Sequence, residues 1–171
     1  MMIRRATLAD LDRLMPIFDE ARRTIAELGI DQWQNGYPQR SVIENDIKRR
    51  ESFLCELDEN ICGTFVMLLE GEKTYDKIYG GEWLTGDSQK YVAIHRVAIP
   101  VTYRGQGIAA KIIAYAEEYA RKNGRSSLRI DTHEGNAVMR RMLEKNGFSY
   151  CGVIFLGSGD KRVAYEKTVI R

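Results

Sequence analysis

Apolar and polar residues follow two different periods along the chain. A helical period runs over 8–25, behind Thr7 as an N-cap, and another runs over 107–123 and stops at Gly124. Runs rich in apolar and β-branched residues between these segments are typical of strands. The pattern predicts strands over 3–6, 53–57, 61–69, 91–99, 127–132, 150–156 and 162–167, and helices over 7–29, 38–50, 107–123 and 136–147.

This order of elements predicts an α/β or α+β protein whose sheet has mixed strand directions. The length of 171 residues suits a single domain over 1–171 with one core. Segment 70–89 shows neither period, and a connection of that length in a compact domain is usually functional.

Composition removes several classes of function. Apolar residues make up 44% and charged residues 29% of the chain, and a net charge of +2 without a basic stripe gives no reason to expect a nucleic-acid partner. No apolar run is long enough for a membrane helix and the first residues lack a secretion signal, so we expect a cytoplasmic protein with no membrane partner. Two histidines and three cysteines without a Cys-x-x-Cys pair favour reduced cysteines and no metal site.

The most informative segment is a glycine-rich turn between a strand and the long helix. It reads Arg104-Gly105-Gln106-Gly107-Ile108-Ala109, and its glycines allow a ligand to approach the backbone closely. Amides at a helix start suit a phosphate, and the arginine adds positive charge. Spacing alone leaves three interpretations open: a connection without a ligand, a phosphate-binding turn and a dinucleotide fold. The dinucleotide interpretation, with Asp131 downstream, is weakened because residues 100–103 separate the strand from the first glycine.

The turn resembles a known family when its flanks are included. Arg104-x-x-Gly107-x-Ala109 follows a strand ending in Val97-Ala98-Ile99-Pro100, a combination that resembles the acyl-CoA motif of the GNAT superfamily of N-acyltransferases. Segments 128–136 and 143–148 resemble that family's next strand and helix. The resemblance implies a mixed, mostly antiparallel central sheet of about seven strands flanked by four helices, with acetyl-CoA as co-substrate and no metal.

The resemblance also implies a cofactor site. The strand before the turn would pair with the pantetheine arm through its backbone, and the Val97 amide would donate a hydrogen bond to the thioester carbonyl. The glycine turn would hold the pyrophosphate, and Asn136, which also suits a helix cap, matches an asparagine that contacts the cofactor. The implied cofactor-binding residues are Val97, Ala98, Ile99, Arg104, Gly105, Gln106, Gly107, Ile108, Ala109 and Asn136.

The reaction needs a base, because alkylammonium groups are protonated at neutral pH. His95 is the candidate: it precedes Val97 by two positions, so both side chains would share a face of a regular strand, and some family members have a histidine here. A structural role for His95 is equally open. Where many relatives have a tyrosine that protonates the thiolate, this chain has Leu143, which leaves a non-catalytic CoA-binding module open; Tyr150, Cys151 or a water could replace the tyrosine.

Aromatic and acidic residues indicate where an acceptor would bind. Segment 70–89 contains Tyr79 and Trp83 among acidic residues, a combination that can hold a cationic amine, although the tryptophans equally suit packing. The resemblance places the segment around Trp33 on the opposite wall, and His133 is a further candidate. We expect a small-molecule primary amine as acceptor, with a protein N-terminal or lysine acetyltransferase as the alternative. The terminal hairpin offers an edge for pairing, so a homodimer is also open.

Overall fold

The computed structural model describes residues 1–169. Within this range the protein has seven strands and four α-helices, in the predicted order. The strands are β1 (Met2–Arg5), β2 (Ser52–Leu57), β3 (Asn60–Leu68), β4 (Tyr91–Ala98), β5 (Ser127–Thr132), β6 (Ser149–Phe155) and β7 (Lys161–Thr168), and the helices are α1 (Leu11–Glu27), α2 (Arg40–Lys48), α3 (Ile108–Lys122) and α4 (Ala137–Lys145).

The strands form one sheet in the order β1-β2-β3-β4-β5-β7-β6. β1 and β2, β2 and β3, β5 and β7, and β6 and β7 pair antiparallel, whereas β4 and β5 pair in parallel. This confirms the predicted mixed, mostly antiparallel sheet with four helices. The parallel register joins Tyr91–Ala93 of β4 to Ser127–Arg129 of β5, and β4 continues beyond it to Ala98.

The chain divides into two compact units. The first comprises Met1–Met67 and His95–Ile112, and the second comprises Leu68–Ile94 and Ile113–Arg171. The assignment of 1–171 to a single domain stays a prediction.

In the first unit, α1 and α2 each bury one apolar face, as the helical period predicts. The chain entering α1 is fixed by Asp10, whose carboxylate accepts hydrogen bonds from the Thr7 amide at 2.8 Å and from the Arg4 guanidinium at 2.8 and 2.9 Å. The core of this unit contains Ala6, Leu11, Leu14, Phe18, Ile43, Ile47, Leu54, Ile61 and Ala98.

In the second unit, segment 70–89 packs two of its aromatic side chains into the core. It contains a short 3₁₀ turn, Lys73–Tyr75, and it buries Tyr75 and Trp83 at 1% and 5% exposure. The Tyr75 hydroxyl donates to a carboxylate oxygen of Asp131 at 2.7 Å. The core of this unit contains Tyr75, Trp83, Tyr91, Ala93, Cys151, Ile154 and Ala164.

Candidate active site

The turn between β4 and α3 has the geometry of an anion-binding helix start. After β4 ends at Ala98, a 3₁₀ turn spans Val101–Tyr103, and α3 begins at Ile108. Gly105 and Gly107 have left-handed φ angles of +73° and +76°, and a Cβ on either would meet no heavy atom within 4 Å. Both glycines therefore leave open space beside the backbone, where a ligand can approach closely.

The amides at the start of α3 face this turn. A bond of helical type runs from the Lys111 N–H to the Gly107 oxygen at 3.2 Å, and, as at any helix start, the amides before it have no carbonyl of the helix to bond. The helix dipole adds partial positive charge at the same end. Arg104 is exposed beside the turn, with its Nε 3.4 Å from the Ile99 oxygen. Amides, dipole and guanidinium together favour a phosphate group.

The other residues predicted in the turn contribute in different ways. Gln106 closes the turn by donating from Nε2 to the Thr102 oxygen at 2.9 Å. Ile108 is 3% exposed, and a Cβ on Gly63 of β3 would come within 3.2 Å of its Cγ2 atom. The Ile108 side chain is therefore a core contact, and its amide is the part that suits a ligand. Gly63 was not among the predicted site residues, because a glycine inside a strand gives no sign of which helix it faces.

β4 is kinked at Arg96, in the middle of the predicted catalytic segment. Arg96 has a left-handed φ of 49°, which is uncommon for a residue with a side chain. His95 and Val97 flank it and are half-buried, and the Nε2 atom of His95 is shielded from solvent. The expectation that these two side chains share one face assumed a regular strand, and the simple alternation does not extend across a left-handed residue.

Two groups of the first unit hold the Arg96 side chain. Its Nε and Nη2 atoms donate to the two carboxylate oxygens of Asp46 in α2, each at 2.7 Å, and its Nη1 atom donates to the Tyr37 hydroxyl at 2.6 Å. The Arg96 and Asp46 side chains are 13% and 5% exposed. Burial raises the pKa of the Asp46 carboxyl, and the electrostatic influence of Arg96 and His95 acts in the opposite direction.

The predicted acceptor residue Trp33 belongs to the same set of contacts. Its ring lies 6.1 Å from the Tyr37 ring and 6.2 Å from the Phe18 ring, measured between centroids, and it is half-buried. Tyr37 thus contacts Trp33 through its ring and Arg96 through its hydroxyl. Tyr37 therefore links Trp33 to the kinked segment of β4, a connection that spacing in the sequence did not show.

The candidates of the second unit lie at helix and strand ends. Asn136 caps α4: its Oδ1 atom accepts from the Met139 amide at 3.1 Å, and the residue is 8% exposed. His133 accepts from the Gly135 amide on Nδ1 at 2.9 Å. The cap proposed for Asn136 is therefore present, whereas the cofactor contact of Asn136 and the acceptor contact of His133 stay predictions.

The two aromatic candidates of segment 70–89 have different surroundings. Tyr79 is 51% exposed, and its ring forms an edge-on pair with Phe155 at 5.4 Å. Trp83 is enclosed: its Nε1 atom donates to the backbone carbonyl oxygen of Tyr75 at 2.9 Å, and the Arg129 guanidinium lies 4.3 Å from the centroid of its ring. This placement fits the packing role that sequence left open for Trp83, so only Tyr79 of the pair offers a surface to a ligand.

Two broader expectations bear on metals and membranes. Among residues 1–169, no group of three or more histidine, cysteine or acidic side chains is arranged to hold a metal ion. Across the same described part of the chain, no helix combines the length and apolar character required for a membrane crossing. The cytoplasmic location and the homodimer stay predictions.

Comparisons with known proteins agree on one family. A family model described as "Acetyltransferase (GNAT) family" matches residues 14–148. A solved structure of a GNAT-family acetyltransferase from Streptococcus agalactiae 2603 is 34% identical, with a TM-score of 0.89 over 99% of this chain and 96% of that chain.

Two further matches have lower sequence identity. An uncharacterised N-acetyltransferase, YesJ of Bacillus subtilis, is 20% identical over 86% of this chain and 81% of its own length. The PaiA N-acetyltransferase of Thermoplasma acidophilum, solved in complex with coenzyme A, has a TM-score of 0.72 at 17% identity, over 98% of both chains. At that identity the likeness extends to the fold alone.

Proposed function

Because the chain belongs to the acetyltransferase (GNAT) family, we propose that it transfers the acetyl group of acetyl-CoA to the primary amine of a small molecule. Acetyl-CoA supplies an activated acetyl thioester. The chain has three tasks: to bind the CoA phosphates, to stabilise charge on the thioester oxygen, and to accept a proton from the amine.

The glycine turn carries the first part of this proposal. Open space beside Gly105 and Gly107 fits a pyrophosphate against the amides that begin α3, and the exposed Arg104 supplies a matching charge. Gly124 has the same left-handed and open geometry, so the distinguishing feature of this turn is its place at the start of α3 beside Arg104. The backbone of Val97–Ile99, beyond the register that joins β4 to β5, would hold the pantetheine arm.

The kinked segment of β4 would perform the chemistry. The Val97 amide donates a hydrogen bond to the thioester oxygen as negative charge develops there, a contribution worth about 3 kcal/mol for one oxyanion donor in well-studied enzymes. His95 takes the proton that the attacking amine loses, since a neutral imidazole has a ring nitrogen that can accept one. Both residues flank Arg96, so one local geometry serves both tasks.

The acceptor would bind beside this kink. Trp33 and Tyr37 present two aromatic rings there, and ring faces attract an alkylammonium group. Such a site suits a small amine whose charged end is held by the rings until His95 removes a proton. A peptide with a free N-terminus or a lysine presents the same amine, so acceptor class is decided by comparing the two kinds of substrate.

The first experiment measures acetyl-CoA binding by calorimetry in a matched pair of variants. Gly107 and Gly124 both have left-handed φ angles, +76° and +65°, and a Cβ on either would meet nothing within 4 Å. Leucine at each position therefore carries a similar backbone cost, roughly 1–2 kcal/mol. We expect Gly107→Leu to weaken acetyl-CoA binding at least tenfold, about 1.4 kcal/mol, and Gly124→Leu to leave it unchanged.

Turnover is then followed as release of the CoA thiol with small amines and with peptides. Release with small amines supports the proposal, and release with peptides alone moves the acceptor to the protein class. Tight acetyl-CoA binding without release on any acceptor would favour the non-catalytic module. Equal affinity in both glycine variants would remove the turn as the CoA site.

A further inference from the structure

Arg96 has an unusual conformation for its residue type. Its backbone φ of 49° lies in the left-handed region, which is costly for a residue with a side chain and persists only where the surrounding structure imposes it. No glycine or asparagine stands at this position to reduce that cost. Some other interaction must therefore hold the kink.

The side-chain contacts of Arg96 supply that interaction. Both carboxylate oxygens of Asp46 accept from its guanidinium in a two-pronged ion pair, and Tyr37 accepts from the remaining terminal nitrogen. The pair is largely enclosed, which strengthens the electrostatic attraction and makes either partner costly to remove. We name Arg96, Asp46 and Tyr37 the Arg96 clamp.

The two partners come from elements that are themselves fixed. Asp46 lies between Ile43 and Ile47 of α2, which are 1% and 6% exposed in the core of the first unit. Tyr37 lies at the end of segment 31–37 and packs against the ring of Trp33. The clamp therefore ties the kink to a helix of the core on one side and to the proposed acceptor wall on the other.

We propose that Arg96 is a positioning residue, and that the clamp sets the direction of the Val97 amide and of the His95 ring for acetyl transfer. This inference rests on the proposed function for the roles of those two residues. A misplacement of the amide by about 1 Å can cost on the order of 100-fold in rate, so a small relaxation of the kink has a large kinetic effect. Because Tyr37 contacts both Arg96 and Trp33, an acceptor bound against Trp33 would also act on the orientation of the Val97 amide and the His95 ring.

The test compares three variants of matched chemistry. Tyr37→Phe removes one hydroxyl and keeps the ring against Trp33, and Asp46→Asn removes the counter-charge. Glu44→Gln is the control, since Glu44 lies on the same helix but pairs with Lys48. We expect kcat to fall about threefold to tenfold in Tyr37→Phe and at least 30-fold in Asp46→Asn, with the acetyl-CoA Kd within about twofold of wild type and Glu44→Gln unchanged.

A second readout does not depend on turnover. Amide resonances of His95 and Val97 in nuclear magnetic resonance spectra should shift or broaden in Tyr37→Phe and Asp46→Asn, and stay in place in Glu44→Gln. If the two variants show these shifts but the wild-type protein acetylates no amine, the proposed function fails while the clamp stands as a device that fixes the kink.

Two results would overturn the proposal. One is wild-type kcat in Tyr37→Phe together with unmoved Val97 and His95 resonances. The other is a loss of acetyl-CoA affinity that equals the loss of kcat, since this means that the clamp supports the fold and not the reacting geometry. Tyr37→Phe keeps the test decisive even if Asp46→Asn folds poorly, because it leaves no buried charge unpaired.

Discussion

Replacing Arg129 by methionine should destabilise the protein strongly, because it leaves a buried carboxylate without its counter-charge. The Arg129 side chain in β5 is 1% exposed, and its Nε atom donates at 3.0 Å to Glu166 in β7, which is 0% exposed. The guanidinium lies over the rings of Trp83 and Tyr91, 4.3 and 4.2 Å from their centroids. Burial acts to raise the pKa of Glu166, but hydrogen bonds from two hydroxyl groups and the Arg129 charge outweigh it and hold the pKa below its ordinary value.

The expected loss follows from this enclosure. Removing one partner of a buried ion pair costs about 3–5 kcal/mol. At this chain length 1 kcal/mol corresponds to roughly 2–4 °C, so Arg129→Met should lower Tm by roughly 6–20 °C. The double variant Arg129→Met with Glu166→Gln should recover much of that loss, because replacing both charges of a buried pair is often close to neutral. Arg129 also donates to Thr85 and to the Gly86 oxygen, so segment 70–89 should exchange its amides faster in the single variant.

Urea unfolding of wild type, the two single variants and the double variant gives the coupling energy directly. Lys161→Met is the control, because the Lys161–Glu134 pair is 49% and 58% exposed and should contribute less than about 1 kcal/mol. Two results would refute the reasoning: a loss below about 1 kcal/mol in Arg129→Met, or a double variant whose loss equals the sum of the single losses.

Three further predictions test packing, acid stability and thiol access. A Cβ on Gly81 would lie 2.0 Å from a backbone oxygen of β6, so Gly81→Ala should cost about 3 kcal/mol in urea unfolding, whereas Gly157→Ala, with nothing within 4 Å, should stay within about 0.5 kcal/mol. A hydrogen bond from an arginine of β1 is the main cause that lowers the pKa of Asp10 from 3.8 to about 2. Since the folded pKa lies below the unfolded one, this stabilisation is present above about pH 4 and is lost as the pH falls towards 2. Over that window the free energy of unfolding of wild type should fall by about 1 kcal/mol more than that of Asp10→Asn, after allowance for solvent screening. Asp12→Asn is the control, because the Asp12 side chain is 83% exposed. Burial raises the pKa of Cys55 to about 12 and all three cysteines are buried, so a disulfide reagent at about pH 8 should label none of them until the protein is unfolded.

Local periodicity predicted most of the fold because the elements bury one face each. The predicted helix over 107–123 corresponds to α3, Ile108–Lys122, and the strand over 127–132 coincides with β5. The glycine turn was found for the same reason: residues that permit a left-handed backbone mark a turn in the sequence itself. Signals of this kind depend on neighbouring residues and need no knowledge of the tertiary structure.

The sequence alone did not predict the Arg96 kink or the Arg129–Glu166 pair, because the residues that cause them lie far apart along the chain. Arg96 depends on Asp46, fifty positions away, and nothing next to Arg96 favours a left-handed backbone. Arg129 stands between Leu128 and Ile130, and a charge inside an apolar strand was a sign of a buried partner. That sign could not identify Glu166, because strand order decides which charge lies opposite.

The leucine at position 143 makes the kink at Arg96 more important for the proposed reaction. Leu143 is 0% exposed in α4, so no proton donor stands where the resemblance places a tyrosine. Departure of CoA as a thiolate at pH 7 costs about 2 kcal/mol for a thiol pKa near 8.5. That cost is small compared with the lowering of the activation free energy by enzymes, which is about 8 kcal/mol or more. In the proposed reaction the remaining stabilisation falls on the Val97 amide and on His95, and both take their direction from the residue between them. In the proposed reaction, a chain with leucine in place of that tyrosine therefore depends more closely on the Arg96 clamp than a relative that has the tyrosine.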